Sequence, residues 1–168
     1  MRRATLGLAT ALTILAAPVF AQAVKQMGEY RSWTAYAATD TTGPVCFAIS
    51  KPVSVEPMPD GYTEASLYLT NRPSEGVADE LNLIAGYMFA PDTPAIALVD
   101  GQTFELFTEK DGAWLRNASE ATNLASALRA GTTLVIEGTS DKGIKITETF
   151  SLSGATAASR AISDNCTG

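Results

Sequence analysis

Cys46 and Cys166 are the only cysteines in this 168-residue chain. They stand 120 positions apart, so a bond between them would tie the carboxyl end to the first third of the sequence. Whether thiols pair depends on the compartment, and the amino terminus speaks to that. Arg2 and Arg3 precede the apolar run Leu6 to Ala17, which is too short for a stable bilayer anchor, and Pro18 then leads into small residues at cleavage-site spacing. The pattern predicts a cleavable signal peptide over residues 1–21, with Ala21 the favoured cut and Ala23 the alternative. A single β-rich domain over 22–168 would follow, delivered to the periplasm or medium, where cysteines oxidise. Closing a loop of that length stabilises a fold by about 4 to 5 kcal/mol on chain-entropy grounds, before strain is deducted.

The chain has no histidine, which removes the one side chain whose unperturbed pKa suits proton transfer at neutral pH. Losing Arg2 and Arg3 with the signal takes the formal charge from −6 to −8. The remaining Lys and Arg are scattered singly rather than gathered into the basic stripe that phosphate backbones require, so nucleic acid is not an expected partner. No later segment is long and apolar enough to serve as a transmembrane anchor.

Along the body, alternating polarity is punctuated by turn chemistry, which predicts an all-β antiparallel sandwich or partly closed barrel. Strands are expected at Tyr30 to Ala37, Val45 to Ser50, Tyr62 to Thr70, Leu81 to Phe89, Ala95 to Val99, Thr103 to Phe107, Thr132 to Glu137 and Ile144 to Leu152. Asp100-Gly101 has the positive-φ preference of a tight hairpin. The Pro-rich stretches Pro52 to Pro59 and Pro91 to Pro94 read as ordered loops. Two short helices are expected, at about 119–130 and 155–164. The first has Ser119 as N-cap and Gly131 as a left-handed stop. The second has Ala158 and Ile162 on a stripe that reaches Cys166.

Several stretches, taken in order, resemble the invasion-associated locus B family. These are Trp33 to Tyr36, Cys46-Phe47-Ala48, Ser50-Lys51-Pro52, Thr70-Asn71-Arg72-Pro73, Gly86-Tyr87, Ala113-Trp114, Ala127 to Gly131, Gly138 to Gly143, Phe150 to Gly154 and Cys166. The resemblance spans nearly the whole mature chain. It implies an exported bacterial protein, associated in some pathogens with host-cell entry and carrying no established enzymatic activity. Many members have a further cysteine after the tryptophan matched by Trp33, whereas this chain reads Trp33-Thr34-Ala35-Tyr36. Family disulfide patterns therefore transfer only for the remaining pair.

Most motif residues read as structure: Gly131, Gly143 and Gly154 at turns, Trp114 and Phe150 as core, Leu152 and Ile162 as sheet-to-helix packing. Arg72 is the exception. Its fork is a candidate partner contact for a carboxylate or phosphate, set against a bond to a neighbouring loop carbonyl or acid. The familiar catalytic signatures are missing: there is no Ser-His-Asp set, no G-x-S-x-G and no S-x-x-K. Metal sites would need histidines, more thiolates or an acidic ladder, so neither metal nor cofactor is expected. A pair of carboxylates could still act on glycosides without histidine, but strand alternation predicts that Glu105 and Glu148 face solvent. The leading reading is an exported non-enzymatic binding or interaction protein with an unknown protein or envelope component as partner. The alternatives are a histidine-free carboxylate hydrolase of envelope sugars and a structural envelope protein without specific ligand.

Overall fold

The computed structural model describes residues 23–166, so the expected signal peptide lies outside the described residues. Eleven strands and two helices follow in order: β1 Lys25–Tyr30, β2 Trp33–Thr39, β3 Pro44–Ser50, β4 Pro52–Glu56, β5 Ser66–Arg72, β6 Val77–Ile84, β7 Ala95–Val99, β8 Gln102–Glu109, β9 Gly112–Leu115, α1 Ala121–Ala130, β10 Thr133–Thr139, β11 Lys145–Ser151 and α2 Ala155–Asn165. The strands form one sheet in the order β1-β2-β3-β5-β6-β9-β8-β7-β10-β11-β4, antiparallel at every pairing. The fold is all-β with two short helices.

The ends of that order explain the shape. β3 and β4 are separated only by Lys51, yet β3 sits third in the sheet and β4 last. One bent strand therefore leaves the β2–β3–β5 ladder and reappears beyond β11, and the sheet must curl until its last strand meets its third. Hydrogen bonding does not complete the ring, so the barrel is only partly closed. At the bend, the Lys51 ammonium donates to the Ser66 hydroxyl at 2.8 Å and pairs with Glu64 at 2.7 Å. The β1–β2 hairpin hangs from the outer edge of β3, with α2 packed across β1, β2 and β3.

Period-two burial fills the interior. Ala35, Cys46 and Ala48, Leu67 and Leu69, Leu81 and Leu83, Phe104 and Leu106, Leu134 and Ile136, and Ile146 and Phe150 all lie 5% or less exposed, because alternate side chains of a strand face the same side. Trp33 is buried with them, and its indole N–H donates to the Ser151 carbonyl at 3.1 Å, which meets the usual demand of a buried indole. On α2, Ala155, Ala158, Ser159 and Ile162 form the buried stripe, and Cys166 continues it.

Local chemistry departs from the sequence reading at several places, among them the strand expected at Leu81 to Phe89, which instead runs Val77–Ile84. Pro52–Glu56 is a strand rather than a loop. It is an edge strand with proline first, so the missing N–H costs no ladder bond. β1 lies outside the expected strands: it is a partly exposed edge with a bulge between Gln26 and Gly28. The α1 helix starts at Ala121 after a 3-10 turn over Ala118–Glu120, and Ser119 is not its cap. Instead the Asn117 side-chain oxygen accepts from the Ser119 N–H at 3.1 Å and hydroxyl at 2.7 Å. Gly131 is extended rather than left-handed, with φ −78°. It must be glycine for space, because a Cβ there would come within 2.6 Å of Val99 and 2.9 Å of the Ala127 carbonyl. The Asp100-Gly101 hairpin has the expected positive φ at both residues, 45° and 87°.

Candidate functional site

A groove lies where β6, β8 and β9 approach α1, and strand parity sets its aromatic floor on the outer face of the sheet. Phe104 and Leu106 point inward, so Phe107 shares the outer face of β8 with Glu105 and Glu109 and is 39% exposed. Ala113 of β9 is buried, which turns Trp114 outward, directly opposite Phe107 in the ladder. The two rings stack with centroids 5.3 Å apart and planes 20° apart. Trp114 is thus not core, as its motif position suggested. Its indole lies across Gly112, where any Cβ would collide with the ring, so the glycine serves as a bed rather than as a turn. Val77, Leu81, Leu115 and Leu124 complete a mainly apolar cavity of about 460 Å³. Its polar lining is Asp79, Glu80 and Glu109, with no lysine or arginine among the lining residues.

The β5–β6 end of the groove is held by a bonded polar cluster. A bulge displaces Asn71, whose side-chain oxygen accepts the Asp79 N–H at 2.7 Å and whose amide donates to Ser163 of α2 at 3.2 Å. Asp79, at a left-handed φ of 50°, accepts from Ser159 of α2 at 3.0 Å and pairs with Arg129 of α1 at 3.0 Å. One carboxylate therefore joins a strand to both helices. Asn71 also sits opposite Cys46 in the ladder, and Cys46 is bonded to Cys166 with Cα atoms 5.7 Å apart. Arg72 points its guanidinium at two acids of its own chain, Glu75 at 2.9 Å and Glu80 at 2.7 Å. Burial opposes its charge, but those two bonds outweigh it and hold its pKa above the usual arginine value. A partner anion would have to displace both carboxylates.

Glu105 is exposed and pairs with Arg116, but Glu148 contradicts the sequence reading. It shares parity with Ile146 and Phe150, so it points into the barrel and is 0% exposed. Neither carboxyl oxygen has a hydrogen-bond partner, and the same holds for the buried Tyr87 hydroxyl nearby. Burial pushes the Glu148 pKa up to about 8, so the group is mainly a neutral acid at pH 7. Tyr62 moderates this rise without reaching hydrogen-bond geometry with either oxygen; its hydroxyl instead accepts the Ala65 N–H at 3.0 Å. Burial raises the tyrosines as well, and the Glu148 charge adds to the effect on both. Among the described residues no group of three or more His, Cys, Asp or Glu could hold a metal ion, and no helix is long and apolar enough to cross a membrane.

No protein-family model matches the chain, and no curated protein matches it in sequence. Its fold is similar to the crystal structure of invasion associated protein B from Bartonella henselae, with a TM-score of 0.56 and 18% identity over 81% of this chain and 95% of that one. At that identity the likeness establishes a shared fold.

Proposed function

We propose that this protein is an exported, non-enzymatic interaction module of the bacterial envelope or surface, related to invasion-associated locus B proteins, and that it binds through the groove floored by Phe107 and Trp114. The observation that carries the reading is the solvent-facing aromatic stack, because large rings on an outer strand face do nothing for the core and are typical anchors of binding surfaces. The bonded cluster behind it supports the same reading, since a rigid bed lowers the ordering cost of association. Two of the three lining acids, Asp79 and Glu80, are each engaged by an arginine, which suits support better than proton transfer. The structural likeness to invasion associated protein B supports the family relation.

The test compares immobilised protein with its Phe107→Ser variant in envelope extract. The wild type should retain a partner that the variant loses, with the two unfolding at the same temperature. Identical captures on both, or none on either, would overturn the reading. Release of reducing sugar from envelope polysaccharide would favour the carboxylate hydrolase instead.

A further inference from the structure

We infer that the groove's occupant is a cationic segment of a partner protein, with a lysine or arginine whose stem lies on the Phe107–Trp114 stack and whose head meets Glu109. This rests on the groove being the binding face and adds the chemistry of what fills it. Every charged side chain lining the groove is an acid. Asp79 and Glu80 already have arginine partners, whereas Glu109 has no ion pair among the described residues. Glu109 lies two residues beyond Phe107 on the same strand face, so the free carboxylate and the exposed ring border the same space.

That arrangement suits long basic side chains in particular. Lysine and arginine carry an apolar stem that can cover aromatic surface and a cation attracted to the face of an indole. The indole here lies across Gly112. An acidic or phosphate-bearing partner would meet the unpaired Glu109 carboxylate, with Asp79 and Glu80 already engaged by arginines, and a second copy of this chain would bring a formal charge of −8 after export against its own acidic groove.

The experiment titrates the folded protein with three peptides, Ac-Leu-Lys-Leu-Arg-Leu-amide and its Gln-for-basic and Glu-for-basic counterparts, following the indole N–H resonance of Trp114 by NMR. Trp33 is 1% exposed and serves as the internal control. The basic peptide should shift the Trp114 signal and bind at least about tenfold more tightly than the acidic one. Phe107→Ser should abolish the shift, and Glu109→Gln should weaken binding about threefold and flatten its salt dependence. If the neutral peptide binds as well as the basic one and Glu109→Gln changes nothing, this inference fails while the groove stands as an interaction face. If no peptide shifts Trp114 and Phe107→Ser keeps every envelope partner, both readings fail. Self-association that rises with protein concentration and disappears in Phe107→Ser would assign the groove to a second copy and also overturn the inference.

Discussion

Asp79 and Glu148 are carboxyl groups set into the same sheet, and their surroundings could hardly differ more. The Asp79 carboxylate accepts one bond from α1 and one from α2, and its backbone N–H donates to Asn71 of β5, close to the Cys46–Cys166 link. Glu148 lies among Ile146, Phe150 and two tyrosines with both oxygens unpartnered. A buried polar group that is bonded fixes the elements it touches, and one that is not weakens the fold by its desolvation cost. The contrast teaches where the molecule is stiff. The flank beneath the aromatic groove is locked by charge, hydrogen bonds and a covalent tie, while the barrel interior near β11 carries a destabilising group that responds to pH.

The harshest way to break the contrast is to cut the tie on the stiff flank. Replacing both cysteines, Cys46→Ser with Cys166→Ser, should lower the unfolding free energy by about 4 kcal/mol, since a loop of 120 residues is released. In urea titrations this reads as a lower midpoint, and amide exchange in α2 should rise more than in β10 and β11. An unchanged midpoint, or mass spectrometry finding both thiols free in native protein, would remove the disulfide from the account of stability.

Glu148 sharpens the other side. Its folded pKa of about 8 stands above the unfolded value near 4.5, so its contribution to stability is fully present below about pH 4.5. Between pH 4.5 and 8 the unfolded chain gives up the proton while the folded one keeps it. Stability therefore falls as pH rises across that window, by a few kcal/mol in total, and levels off above it. Glu148→Gln removes the titration and keeps the shape, so the slope of unfolding free energy between pH 5 and 8 should become shallower than in the wild type. Equal slopes would mean that Glu148 finds a partner, such as a bound water, in solution.

The outward ring of the groove and the inward acid of β11 were both within reach of counting by two along strands. Phe107 falls in step with Glu105 and Glu109, which marks it as outward, and Glu148 falls in step with Ile146 and Phe150, which marks it as inward. The sequence reading located eight strands and both helices because alternation and helical stripes survive without tertiary context. It sent Glu148 outward because residue type outweighed register, and it put Trp114 in the core for the same reason. β1 was lost because KQMGEY is too polar to alternate visibly, and β4 because Pro52 resembled a loop signal. The Asn71–Asp79 cluster was not legible at all. It depends on a bulge and on two helices arriving from the far end of the chain, and nothing local announces either.

The smallest effects divide the two arginines beside the groove. Asp79→Ala strands the Arg129 guanidinium and the Ser159 hydroxyl and forces alanine into a left-handed conformation, so a loss of about 2 to 3 kcal/mol is expected. Arg72→Ala should cost under about 1 kcal/mol, because its pairs to Glu75 and Glu80 are partly exposed and connect residues only three and eight positions away. Its consequence should appear in binding instead. With Arg72 gone, Glu80 loses its ion pair and the groove becomes more negative, so affinity for the basic peptide should rise modestly and become more sensitive to salt. A drop in that affinity at unchanged stability would mean that Arg72 itself touches the partner and that its guanidinium leaves Glu75 and Glu80 on binding.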